Sequence, residues 1–286
     1  MAIKIVTDTG CDLPMEIIHK YDIDILPIVV IKGETEYLDQ ITISPVEVYN
    51  GMREGVVYKT AQITPMSFQR KFEEYGKNND SVIYIAFSSG LSGTYQTSLF
   101  VKETVKEQYQ DVDITIVDTK AASLGFGLIV LEAAKLAKDG ASKDEILKRI
   151  DYYKDNLELI FTVDDLEYLF RGGRVSKTAA LVGGLLNIKP VLEVIDGKLV
   201  PIDKLRGRNK VFKKMIEIMG ERGKNSDFKT QIIGISHGDD IEGANKLKNM
   251  IEESFGAETF LINTIGASIG AHVGPGSIAL FFLSNN

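Results

Sequence analysis

Short apolar runs alternate along the chain with stretches whose apolar residues recur every three or four positions. IKIVTD, from residue 3, SVIYIAF (81–87) and DITIVDT (113–119) have the length and β-branched content of buried strands. LPMEIIHKY, MSFQRKFEEYG (66–76), TYQTSLFVKETVKEQY (94–109) and LGFGLIVLEAAKLAKDG (124–140) read as helices, the last stopped by Gly140. Several helix starts are marked. Ser44 to Glu47 and Ser142 to Glu145 have the spacing of capping boxes, Thr64-Pro65 opens a helix in a similar way, and Asp12 stands as a cap shortly before Pro14. DILPIVVIKG is a further apolar run, which Pro27 places at a sheet edge or makes irregular. Repeated strand–helix units imply a mostly parallel sheet covered on both faces.

The second half reads differently. ELIFTV is a strand, DDLEYLFRGGR a short helix stopped by Gly172-Gly173, and SKTAALVGGLLNI (176–188) a very apolar helix. KPVLEVIDGKLVPID is a hairpin turning at Asp196-Gly197. NKVFKKMIEIMGERG and IEGANKLKNMIEESFG are helices on either side of the strand QIIGISHG. TFLINT and SIALFFLS are strands separated by the glycine-rich IGASIGAHVGPG. With 286 residues, two domains are expected. The predicted class is α/β: residues 1–155 form a Rossmann-like domain with a mostly parallel sheet and flanking helices, and residues 156–286 form an α/β domain with a mixed sheet.

Composition narrows the chemistry. The apolar content of 44% suits a globular protein with a sizeable core, and no apolar stretch is long enough for a membrane span. A net charge of −7 argues against a nucleic-acid binder driven by a general positive field. Cys11 is the only cysteine, so an intramolecular disulfide and a cysteine-rich zinc site are excluded. The N-terminus begins directly with a strand and has no signal-peptide layout, which gives a cytoplasmic expectation.

Four loops hold candidate chemistry. In FSSGLSGTYQ (87–96), Ser88, Ser89, Ser92 and Thr94 supply hydroxyls, and Gly90 and Gly93 let the backbone approach a ligand at the start of a helix. The turn suits a carboxylate or a phosphate; equally, Ser92 can be only a helix cap. It lacks the lysine of a nucleotide P-loop. In KTAQITP (59–65), Thr60 can donate to an anion, whereas Thr64 is accounted for as the cap of the next helix. In GASIGAHVGPGS (266–277), glycines and a proline surround His272, which can donate a hydrogen bond and, if protonated, offset a negative charge. In FRGGRVSKT, Arg171, Arg174 and Lys177 cluster, and Arg206 and Arg208 add to the patch; a docking surface and an ordinary solvated loop both fit. No ligand-like spacing of histidines or carboxylates marks a metal site, and Asp8 and Cys11 receive no chemical role.

The order and spacing of VTDTGCDLP, KTAQITP, SSGLSGTYQ, VDTKAASLGFG, LFRGGRVSK and IGAHVGPGS resemble the DegV family, including its fatty-acid-binding members that work with a fatty acid kinase, the FakB proteins. The resemblance spans almost the whole chain. It implies two α/β domains with a long-chain fatty acid bound between them and no cofactor. On this chain the implied carboxylate contacts are Thr60, Ser92, Gly93 and His272, with Ser89, Thr94 and Thr64 as secondary candidates. Arg171, Arg174 and Arg206 would face the kinase partner. That enzyme phosphorylates the carboxylate, and the acyl phosphate feeds phospholipid synthesis. Such a carrier is expected to be a monomer and non-catalytic, and passing contact with a membrane surface fits the role. This chain departs from the usual TSQPS, having Thr60-Ala61-Gln62-Ile63-Thr64, so a side-chain contact from position 61 is lost.

Two other functions compete with the carrier. One is a phosphotransferase or small-molecule kinase of related fold, which needs a nucleotide loop or a carboxylate cluster. The other is a hydrolase, which needs Ser92, His272 and an orienting acid in contact.

Overall fold

The computed structural model describes residues 3–176 and 188–285. Its first sheet is wholly parallel, in the order β2 (Asp24–Leu26), β1 (Ile3–Asp8), β6 (Ser81–Ala86) and β7 (Asp113–Asp118). Along β6, Val82, Tyr84 and Ala86 pack with Phe68 and Phe72 of α3 (Pro65–Asn78) and Val101 of α4 (Thr94–Gln108). Ile83 and Ile85 point the other way, toward α5 (Leu124–Lys138). Burial on both faces explains why this strand is a continuous apolar run and not an alternating one.

Pro27 divides its apolar run between two sheets. The chain leaves β2 at Leu26 and resumes as β3 (Val29–Lys32), which pairs antiparallel with β4 (Thr35–Leu38) and β5 (Tyr58–Ala61) in a separate small sheet. Neither β4 nor β5 has an apolar signature: each is four residues long, and apart from Tyr58 their positions are exposed or only half-buried. The candidate loop at residue 59 is therefore half strand.

The second sheet is mixed and six-stranded. Its order is β10 (Lys198–Arg206), β9 (Ile188–Ile195), β8 (Leu157–Thr162), β13 (Ile278–Leu283), β11 (Ile232–His237) and β12 (Thr259–Thr264), with β11 and β12 parallel and the other pairs antiparallel. The chain enters it directly from α6 (Lys143–Asn156). One face carries α8 (Arg208–Arg222) and α9 (Ile241–Phe255), with Phe212, Met215 and Leu247 packed on Ile235 and Phe282. The opposite face presents Leu159, Phe161 and Phe281 to α5, in the same cluster as Ile83 and Ile85 of the first sheet. Thus α5 lies between two sheets, and its residues from Leu124 to Leu131 are all buried. A helix apolar on every side requires such a place.

Local signals were decoded well where they act locally. Both capping boxes form, and Thr64 accepts the Ser67 N–H. Asp196 and Gly197 turn the β9–β10 hairpin with φ of 49° and 77°, the left-handed pair that a two-residue turn needs. Asp12 is a correction: it is not the cap of α1 (Met15–Lys20). Its backbone is left-handed, and its buried carboxylate accepts from Ser123 Oγ at 2.5 Å and from Gly266 N at 2.8 Å. The glycine-rich connection before β13 is also no mere loop. It contains α10 (Ala267–Val273), whose small face at Ala267, Gly270 and Ala271 packs against Tyr49 of α2 (Pro45–Arg53). The short helix before the glycine pair is α7 (Leu166–Arg171), making ten α-helices among the described residues. The helix expected over 176–188 falls largely on residues 177–187, outside those described; Ile188 already belongs to β9.

Two glycines let α5 approach its neighbours. A methyl at Gly125 would press on the Phe281 ring, and one at Gly127 would overlap the Cys11 carbonyl oxygen. Gly127→Ala should therefore cost about 2 kcal/mol through overpacking against backbone, read as a lowered midpoint in urea unfolding. An unchanged midpoint would show that α5 can shift freely between the sheets.

Candidate functional site

A cavity of about 220 Å³ opens beside the start of α5, between the two sheets and the small antiparallel one. Its lining is chiefly apolar, with Phe161, Leu159, Phe281, Val194 and Leu199 among the walls. Besides Ser92, three serines reach it, each already engaged: Ser268 donates to Asp39, Ser123 to Asp12, and Ser277 to the Gly274 carbonyl. Thr60, Ser92, Gly93 and His272 also line it; Thr60 and His272 touch, and with Arg174 they mark a polar end. These four residues come from β5, from the turn before α4, and from α10, far apart in the chain.

Thr60 Oγ1 and His272 Nε2 lie 2.7 Å apart. His272 Nδ1 is shut off from solvent without a hydrogen-bond partner among the described residues, and it rests against Gly172, where any side chain would overlap the ring. A buried N–H without an acceptor costs more than an idle lone pair. The neutral ring therefore carries its proton on Nε2 and donates to Thr60, which leaves the Thr60 hydroxyl proton free for the cavity. Burial, and secondarily the Arg174 guanidinium, push the His272 pKa down to about 4. Near neutral pH the histidine is uncharged, so the positive charge at this end is not the imidazolium considered from the sequence but Arg174.

Ser92 precedes α4, whose N-cap is Gly93 with no side-chain cap. Thr94 is buried; its hydroxyl accepts the Ile63 N–H and lies 2.9 Å from Ser92 Oγ, which in turn accepts the Thr94 N–H at 3.2 Å. When Thr94 donates to Ser92, the Ser92 proton is free to point at a ligand. Gly93 is required for packing, since a side chain there would strike Gln62, whose amide donates to Thr97 Oγ1 at 2.7 Å. The helix start, with its free N–H groups and partial positive charge, adds to the field at this end.

The secondary candidates separate. Thr94 orients Ser92 from behind and does not line the cavity. Ser89 turns away: it donates to Asp118 Oδ2 at 2.5 Å and receives Lys120 Nζ at 2.6 Å. Thr64 is exposed and serves α3 as its cap. Ser88, in the same turn, donates to the Gly197 carbonyl at 2.8 Å, so the hairpin tip of the second sheet docks on this turn. Among the described residues no hydrogen bond joins Ser92 to His272 and no carboxylate bonds the imidazole, so these residues do not form a Ser–His–acid triad.

The arginines also separate. Arg174, expected on an outer docking surface, lines the cavity; its Nε donates to the Leu91 carbonyl at 3.0 Å and Nη1 to Gly172 at 2.5 Å. A second hollow of about 260 Å³ lies outside, and Thr60, Arg174 and His272 line both. The outer hollow adds Lys59, Tyr168 and the exposed Arg171, which stacks on the Tyr168 ring at 5.6 Å. Arg206 is exposed at the end of β10 and lines neither hollow. Lys177 lies outside the described residues. Sequence reasoning missed Arg174 and Gln62 as lining residues. The glycine pair before Arg174 was the available signal, since it marks a close approach, here to His272.

Three buried acids stand nearby. Asp8 accepts from Gly10, Tyr84 and Phe87, and burial raises its pKa to about 6; Asp12 and Asp39 are raised by the same cause. Among the described residues no group of three His, Cys, Asp or Glu is placed to hold a metal ion. Cys11 is buried, and burial pushes its thiol pKa up, so it is packing. No helix among the described residues is long and apolar enough to cross a membrane.

A sequence profile described as "Uncharacterised protein, DegV family" matches residues 2–285. The chain belongs to the DegV family. A DegV domain-containing protein of Clostridium perfringens is 44% identical over 284 residues, covering 98% of this chain and 97% of that one. Among solved structures, a DegV family protein from Thermus thermophilus described for fatty acid binding superposes with a TM-score of 0.87 at 30% identity, covering 98% and 99% of the two chains. A stearic-acid-binding protein from Eubacterium ventriosum gives a TM-score of 0.91 at 27% identity, covering 98% and 97%. The two-domain α/β class and the family read from the motifs are those found.

Two groups of this DegV protein give stability opposite pH slopes. The folded pKa of His272, about 4, lies below the ordinary 6.5, so the unfolded chain binds more protons and stability falls as pH drops through that window. For Asp8 the folded value of about 6 lies above 3.8, so the folded state binds more protons and stability falls as pH rises through that window. His272→Gln removes only the first effect. Relative to the parent, the variant should gain stability between about pH 7 and about pH 4.5 in urea unfolding. A constant difference would show that the imidazole is not held neutral.

Proposed function

We propose that this DegV protein is a carrier that binds one long-chain fatty acid and presents its carboxylate to a separate fatty acid kinase. One observation carries the reading: Thr60, His272 and Arg174 line both the largely apolar inner cavity and the cationic outer hollow. An acyl chain in the inner cavity would bring its carboxylate to this shared wall, reachable from outside. The relatives described for fatty acid and stearic acid binding support the choice of ligand.

The division of labour follows from magnitudes. Each methylene transferred from water to an apolar wall contributes about 0.8 kcal/mol, so the chain supplies most of the affinity. The head group must be compensated, because an unpaired buried carboxylate is expensive. Thr60 and Ser92 donate hydroxyl protons, Arg174 contributes charge, and neutral His272 holds Thr60 in its donating orientation. The kinase would transfer the terminal phosphoryl of ATP to a carboxylate oxygen, releasing ADP. Lys59 and Arg171 lie on the side from which that group would arrive, and Arg206 remains a candidate for partner docking.

Native mass spectrometry of the purified protein, followed by extraction, should find one fatty acid per chain. Ser92→Ala and Arg174→Ala should each weaken oleate binding by about tenfold or more, as expected for a lost hydrogen bond to a charged group. A protein that neither carries nor takes up fatty acids, and binds inorganic phosphate instead, would overturn the carrier reading in favour of a phosphotransferase.

A further inference from the structure

His272 sits on a helix that cannot hold its own position. Seven residues are too few for an isolated helix, and Gly266 gives α10 no side-chain cap. Its packing face is small, so side-chain interlocking resists sliding weakly. The restraint comes from elsewhere in the chain. Asp39, directly after β4 and fully buried, places its carboxylate at the start of α10. Oδ1 accepts the Ala267 N–H at 3.0 Å; Oδ2 accepts the Ser268 N–H at 3.1 Å and the Ser268 hydroxyl at 2.5 Å. The residue caps a helix 228 positions away. Ser268 and His272 are one helical turn apart, and both line the cavity. Asp12 adds a bond to the preceding Gly266 N–H, and Tyr49 one to the Ile265 carbonyl at 3.1 Å.

We propose that Asp39 is a positioning residue: by holding the first turn of α10 it sets the place of the His272 imidazole against Thr60. Its relevance to ligand binding rests on the carrier reading, but its effect on His272 does not. Asp39 does not line the cavity, so it acts only through the helix. The charged group acting on His272 is Arg174, with Lys59, Arg171 and Tyr168 in the adjoining outer hollow; the carboxylates near Asp39 are Asp8 and Asp12. Without Asp39 the helix start loses three hydrogen bonds, and His272 is free to leave Thr60 and the packing against Gly172.

The test uses ligand-free protein labelled at its three histidines, with the His272 signals identified through His272→Gln. In Asp39→Asn, which keeps the size and removes the charge, the His272 titration midpoint should move from about 4 toward 6.5, while that of His237 stays. Oleate affinity should fall by about tenfold, in step with the lost head-group geometry. A merely structural role would lower stability and leave the His272 midpoint of the folded protein unchanged, and that result would overturn the proposal. If Asp39→Asn does not fold, Ser268→Ala, which removes one of the three bonds, is read in the same way. A smaller shift of the same sign supports the proposal and no shift overturns it. A shifted His272 with no oleate bound by variant or parent supports the positioning role and refutes the fatty acid as ligand.

Discussion

A helix whose first two turns have no side toward solvent governs the architecture. The first turns of α5 touch the parallel sheet on one side and the mixed sheet on the other, so each sheet is covered by the same side chains. Neither sheet can be displaced without exposing them, and burial of such large apolar areas dominates folding free energy. Gly125 and Gly127 set how closely the layers approach. The cavity begins at this helix: Ala122 and Ser123, just before its first turn, form part of the wall. The site is thus a product of the packing between sheets and belongs to neither sheet alone.

Charge at the polar end is divided unequally, for a physical reason. Burial strips a charged group of its hydration, a second cation nearby adds repulsion, and the group with the lower intrinsic pKa gives up its proton. Arginine retains its charge, although burial lowers its pKa, and histidine becomes neutral. The neutral imidazole then has one donor to spend, on Thr60, and Gly172 closes off the other nitrogen. Arg174 is itself fixed by carbonyls of Leu91 and Gly172. In the proposed carrier, hydroxyls, a helix start and one fixed guanidinium would compensate one carboxylate without leaving excess charge.

The elements that join distant parts of the chain are mostly buried and polar. Asp12 reaches Gly266 and Ser123, Asp39 reaches α10, and Ser88 reaches the tip of the β9–β10 hairpin. Each carboxylate is expensive to bury, and each is compensated by several donors. Such contacts are directional, so they fix the register of small pieces that apolar packing alone would leave free to slide.

Period and punctuation alone determined the parallel strands of the first half, both capping boxes, the hairpin at Asp196-Gly197 and the α/β class, because those signals are local. The family resemblance also grouped Thr60, Ser92, Gly93 and His272 as implied carboxylate contacts, and all four line one cavity. Tertiary structure decided the rest. β4 and β5 exist through pairing with β3, not through an apolar pattern of their own. The glycines around His272 became a helix because Tyr49 requires a small surface there. Asp12 became a cross-link and not a cap, and Arg174 turned inward to the cavity, because burial and partners brought from more than eighty residues away outweigh local preference. The charge state of His272 belongs to the same class, since it depends on burial and on a neighbour that only folding supplies.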